Sequence, residues 1–251
     1  MSNGSLYTHI QNNIATIEFF HPASNSFPSE LLARLAEAFN TLSTNSEVHV
    51  IVLKSEKEKA FCAGASFDEL VAISTLEQGK QFFLGFANVI NAMRNCSKLI
   101  IGRVQGKAVG GGVGLAAACD YCLATEQASI KLSELTIGIG PFVIEPAVTR
   151  KIGVAAFSEL AINATNWKTA YWAKEKGLFA EVFDSIKELD AEVEHLAIKL
   201  STYNSEALKA LKQTLWSGTE DWNVLLEKRA EISGNLVLSE ATKTALQKFK
   251  K

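Results

Sequence analysis

Gly106-Lys-Ala-Val-Gly-Gly-Gly-Val-Gly-Leu-Ala-Ala-Ala-Cys-Asp120 is the stretch on which the reading of this chain turns. Three consecutive glycines enter a run of small residues that can only be a tightly packed helix. Glycine is costly at a helix start, so three in a row point to a use for the bare backbone. Free N–H groups at the positive end of a helix make a site for an anion or for a developing oxyanion. Two familiar phosphate loops fail here. A Walker loop needs Ser or Thr after its lysine, and Ala108 follows Lys107. A dinucleotide fingerprint counted from Gly110 and Gly112 needs a third glycine where Leu115 stands.

The segments on either side set the fold class. Upstream, Leu99–Val104 reads as a strand, and Asp120–Ala124 downstream is strand-like again. Further out, Ile10–Phe20 reads as a strand pair before a His21–Asn25 turn. Val48–Leu53 is a short apolar run fit for a buried strand. Apolar spacing predicts helices over Ser29–Thr44, with Ser29 as N-cap, and over Leu76–Asn95. Strands alternating with helices predict an α/β core with right-handed crossovers. Beyond about Ala155 strands nearly vanish. Val154–Gly177, Ile186–Tyr203, Ser205–Gly218 and Trp222–Ser233 read as helical, and Ala241–Lys251 as a short basic amphipathic end. The expected division is a core over 1–195 and a C-terminal helical region over 196–251, packing against another subunit.

Composition excludes several classes. The chain has 251 residues, 47% hydrophobic and 21% charged, with 16 Gly and 4 Pro, which rules out a disordered or collagenous protein. A net charge of −2 gives no footprint for nucleic acid or an anionic membrane. No signal peptide or spanning run is legible, and 4 Cys in this length do not make a disulfide framework, so the expected location is cytoplasmic. Cys119 and Cys122 have redox spacing but sit between a helix and a strand, and are read as buried thiols with Asp120 capping or pairing. The 4 His are scattered without metal-ligand spacing, so no metal is expected.

Two further segments could carry chemistry. In Lys59-Ala-Phe-Cys-Ala-Gly-Ala-Ser-Phe-Asp68, small residues at Ala63, Gly64 and Ala65 would let backbone N–H groups approach a ligand. In Leu132–Pro141, Glu134 is a lone acid in an apolar stretch, where a raised pKa would suit proton exchange near neutrality.

Taken in order, Phe61–Ala65, Gly110–Gly112, Cys119-Asp120, Ser133-Glu134 and Ala170–Leu178 resemble the enoyl-CoA hydratase/isomerase (crotonase) superfamily over nearly the whole chain. The resemblance implies a repeated ββα spiral, a C-terminal helical oligomerisation region, and a homotrimer or homohexamer. It implies an acyl-CoA thioester substrate, with no cofactor beyond the coenzyme A that the substrate carries. The N–H groups of Ala65 and Gly111 would form an oxyanion hole for the thioester carbonyl, and Glu134 would be the acid/base. Ala63, Gly64, Ser66, Phe67, Asp68, Gly110, Gly114, Pro141 and Phe142 would bind substrate.

Family hydratases also carry a first glutamate three residues after the middle glycine. Gly114 stands there, with open room beside it on this reading. The resemblance resembles most a hydratase of a branched or carboxylated 2-enoyl-CoA, of the methylglutaconyl type. The alternatives are a single-glutamate Δ3-Δ2 isomerase and a non-catalytic acyl-CoA binder. Glu145 is the nearest spare acid. The basic contact to coenzyme A usual after Ala65 is absent, leaving Lys248 or Lys250 to supply one.

Overall fold

The computed structural model describes residues 4–56 and 59–248. The chain opens with an antiparallel pair, β1 (Ser5–Gln11) and β2 (Ile14–Phe20), closed by Asn12 and Asn13 at positive φ. Asparagine tolerates that left-handed region better than most residues. Helix α1 (Ser29–Thr44) follows.

Three strand–strand–helix units then repeat. The first is β3 (Val50–Ser55), β4 (Ala60–Cys62), then α2 (Phe67–Ala72) and α3 (Leu76–Asn95). The second is β5 (Leu99–Val104), β6 (Lys107–Val109) and α4 (Gly111–Ala118). The third is β7 (Tyr121–Thr125), β8 (Ser129–Lys131), a 3-10 turn over Glu134–Ile137 and α5 (Glu145–Ile162). In each unit the first strand joins a six-stranded sheet and the second a four-stranded one. The orders are β1-β2-β3-β5-β7-β10 and β4-β6-β8-β9. This is the repeated ββα spiral.

Beyond it lie β9 (Lys168–Thr169), α6 (Ala170–Glu175), β10 (Glu181–Phe183), α7 (Ile186–Ser201), α8 (Ser205–Leu215), α9 (Trp222–Leu236) and α10 (Glu240–Gln247). The expected helix over Val154–Gly177 is corrected: α5 ends at Ile162, β9 separates it from α6, and β10 adds a second short strand. Two or three residues are too few to show a period. Ser29 is also corrected: Pro28 is the α1 N-cap, and Ser29 N–H and Oγ both bond the Glu69 carboxylate. Position 195 falls inside α7, and residues 249–251 of the basic end lie outside the described residues.

Helix α4 is apolar around its whole circumference and buried from Gly112 to Ala118, so it forms the centre of the molecule rather than a surface layer. The C-terminal helices pack against this core. A Cβ at Gly79 of α3 would lie 2.7 Å from the Gly234 carbonyl of α9, so bare backbone is what lets these helices cross closely. Helix α8 is held by Asp120. Its Oδ2 accepts from Lys212 Nζ and the Ile100 N–H, each at 2.7 Å, and its Oδ1 from Trp216 Nε1 at 2.7 Å. Cys119 and Cys122 are free and buried. No helix among the described residues is long and apolar enough to cross a membrane.

Candidate active site

The four-stranded sheet delivers three chain turns to one place. Ala63–Ala65 leave β4, Gly110 and Gly111 leave β6, and Ser133-Glu134 leave β8. All three turns line one cavity of about 330 Å³, together with Phe82, Phe83 and Phe86 of α3 and Pro141–Ile144.

The backbone around Ala65 is aimed. Phe27 N–H donates to the Gly64 carbonyl at 2.8 Å, and Ser66 N–H donates to the Phe27 carbonyl at 2.9 Å. In this parallel bridge the neighbours bond Phe27, and the intervening Ala65 N–H turns away from it. Gly110 caps α4. Its φ is +53°, its N–H donates to the Lys131 carbonyl, and its own carbonyl accepts from Val113 and Gly114. The Gly111 N–H is then a first-turn donor with no helical acceptor. A Cβ at Gly64 would lie 3.5 Å from the Gly111 nitrogen, which puts the two loops in contact. Ala65 and Gly111 both line the cavity, and two backbone N–H groups brought together there are what a developing enolate oxygen needs.

Glu134 sits beside them. A Cβ at Gly110 would be 2.8 Å from Glu134 Oε1, so the glycine makes room for the carboxylate. The residue as a whole is half-buried, and its Oε2 is sealed from solvent with no hydrogen-bond partner. Burial pushes its pKa up from 4.5 to about 7, opposed weakly by its own N–H. An acid that can be either ionised or protonated near neutrality suits proton transfer in both directions. Burial also pushes the neighbouring Cys62 thiol up to about 12, which leaves it inert.

Of the residues singled out from the sequence, Glu134, Ala65, Gly111, Ala63, Gly64, Phe67, Gly110, Pro141 and Phe142 line the cavity; Ser66, Asp68 and Gly114 do not. Ser66 Oγ caps α2 by accepting from Glu69 N–H, and Asp68 is exposed in the first turn of that helix. Gly114 carries the main correction. A Cβ there would lie 2.4 Å from Ile144 Cγ2, so the space read as open beside the glycines is filled by isoleucine. Glu145 points elsewhere, accepting from Thr149 Oγ1 at 2.9 Å and lying 3.4 Å from Arg229. Lys248 is exposed at the end of α10, and Lys250 lies outside the described residues. The three phenylalanines of α3, Ile137, Ile139, Ile144 and Ser233 also line the cavity and were not singled out. The spacing of the three phenylalanines is that of any core-facing helical ridge.

The comparisons with known proteins agree with this geometry. A family model described as enoyl-CoA hydratase/isomerase matches residues 9–250. The chain is 28% identical over 242 residues, 95% of its length and 92% of the relative's, to a short-chain-enoyl-CoA hydratase of Clostridium acetobutylicum. It is 29% identical over 211 residues, 78% of its length and 74% of the relative's, to a peroxisomal Delta(3,5)-Delta(2,4)-dienoyl-CoA isomerase of Arabidopsis thaliana. The solved structure of an enoyl-CoA hydratase from Bacillus halodurans superposes with a TM-score of 0.90 at 23% identity, covering 97% of this chain and 99% of that one, which is a likeness of fold. With its family model spanning nearly the whole sequence, its ββα spiral and its glutamate beside two backbone donors, the chain belongs to the enoyl-CoA hydratase/isomerase family.

Proposed function

We propose that this protein is an enoyl-CoA isomerase that moves a double bond between the 3 and 2 positions of an acyl-CoA. One observation carries the reading: Glu134 is the only carboxylate among the described lining residues, and Ile144 fills the space a second one at position 114 would need. Adding water across a double bond calls for a group to hold and deprotonate the water and a group to protonate carbon. Moving a proton from C2 to C4 needs one base that takes it and gives it back.

In the proposed reaction the thioester carbonyl accepts hydrogen bonds from Ala65 and Gly111 N–H. The ionised Glu134 removes a proton from C2. The electron pair passes into the carbonyl, forming a dienolate whose oxygen carries the charge between the two donors. The protonated Glu134 then delivers its proton to C4, and the double bond ends in conjugation. Atoms and charge balance with no other reactant. The phenylalanine wall keeps water from competing for the proton. The assembly proposed with this reading is a trimer or hexamer, which sedimentation will show.

Hydration is the second reading, kept by the hydratase among the relatives. One spectroscopic experiment separates them. With a 3-enoyl-CoA the isomerase raises the absorbance of the conjugated thioester. With crotonyl-CoA a hydratase lowers it. Loss with crotonyl-CoA and no gain with the 3-enoyl substrate overturns isomerisation.

A further inference from the structure

One face of the four-stranded sheet carries two lysines, and part of that face borders the cavity. Val109 of β6 pairs in register with Lys131 of β8, and both line the cavity. Side chains on one strand alternate between faces. Ala108 and Ile130 are buried in the core, so Lys107, Val109 and Lys131 share the outer face. Trp167, just before β9, continues the row: Ile130 pairs with Lys168, which places Trp167 beside Lys131.

Both lysines bend onto that one ring. Lys131 Nζ lies 4.6 Å and Lys107 Nζ 5.1 Å from the Trp167 centroid. Trp167 is 40% exposed, so the two ammonium groups on its ring reach solvent. The neighbouring Lys168 is neutralised by Glu159. Among the described residues, no carboxylate pairs with Lys107 or Lys131. Two ammonium groups gathered on one indole, with no anion between them, repel each other and keep open hydrogen-bonding capacity.

We infer that Lys107 and Lys131, braced on Trp167, form a shelf that binds an oxyanion of the thioester substrate. This rests on the acyl-CoA reading above. Lys107 stands three residues before Gly110, roughly 10 Å along an extended strand, so the shelf meets a substrate group well removed from the reacting carbonyl. That group is a phosphate of coenzyme A or a carboxylate at the end of the acyl chain, and the same chemistry recognises either.

Saturated thioesters neither isomerise nor hydrate, so their binding tests the shelf apart from the reaction. Wild type and the Lys107→Ala/Lys131→Ala double variant are titrated by calorimetry with butyryl-CoA, butyryl-pantetheine, glutaryl-CoA and glutaryl-pantetheine. Each lost charge-assisted hydrogen bond is expected to weaken binding about tenfold. Weakening with both CoA esters but neither pantetheine ester puts phosphate on the shelf. Weakening confined to the two glutaryl esters puts carboxylate there. In either case the wild-type affinity falls with added salt more steeply than the variant's. A variant that binds all four as wild type does overturns the shelf and leaves the isomerase reading standing. A wild type that binds none overturns both. Wild-type binding with no turnover of 3-enoyl-CoA overturns the isomerase reading alone.

Discussion

Replacing Glu134 by glutamine is expected to abolish turnover and, at the same time, to stabilise the protein in a pH-dependent way. The folded-state pKa of Glu134 is raised from 4.5 to about 7 because its carboxylate is buried without a partner. Between those values the folded chain holds a proton that the unfolded chain releases. Wild-type stability therefore falls as pH rises through this window, and the full cost is present above about 7. At ~1.36 kcal/mol per pKa unit the penalty reaches about 3 kcal/mol, most of it appearing between about pH 5 and pH 8. Glutamine has no proton to lose and escapes it. Urea unfolding of both proteins at the two pH values measures the difference directly, because the variant's advantage grows with pH. The same titration governs catalysis. A base that must be ionised gives kcat/KM for the 3-enoyl substrate that rises with pH and levels off above about 7. An advantage for Glu134→Gln that does not change between the two pH values, with a flat wild-type rate profile, would refute a buried proton-exchanging acid.

Gly114→Ala drives a methyl into Ile144 Cγ2 and is expected to cost ~1–3 kcal/mol by overpacking; Ile144→Ala, which removes that methyl, should recover part of it in the double variant, and strict additivity in the double-mutant cycle would show that the two residues do not touch. Gly114→Glu alone should therefore gain no crotonyl-CoA hydration, because its side chain has no room at the cavity. Gly111→Pro removes a donor N–H and crowds Phe86, whose Cζ would lie 2.3 Å from a Cβ there; a folded variant with normal kcat would remove Gly111 from the oxyanion hole. Lys212→Met leaves Asp120 buried and stripped of its cation, with side-chain exposures of 2% for Lys212 and 4% for Asp120, and should cost ~3–5 kcal/mol in denaturant unfolding.

The long elements were legible because their periods are long. Leu76–Asn95 and Leu99–Val104 occupy the residues their apolar patterns mark out. Glu134, Ala65 and Gly111 were singled out for another reason. No one segment assigned them; their order along the chain with Cys119-Asp120 and Ala170–Leu178 is what resembles the family, and the resemblance supplied their roles. The two- and three-residue strands of the small sheet were not legible, although they aim the site. Pairing with a neighbour defines them, and no local pattern of two residues can announce a neighbour.

Position 114 shows where sequence stops. The sequence told of an absent side chain and left the space beside it open to interpretation. Only the packing of α5 against α4 decided that Ile144, 30 residues on, fills that space, and so that one carboxylate among the described residues lines the cavity. The lysine pair on Trp167 has the same origin. Lys107, Lys131 and Trp167 are ordinary surface residues until register between three strands sets them on one face. Sequence determines which residues are chemically able to act, because that is a property of each side chain. Tertiary structure decides which of them meet and which are shut out, because contact between distant segments depends on strand register and on the volume that neighbouring side chains leave free.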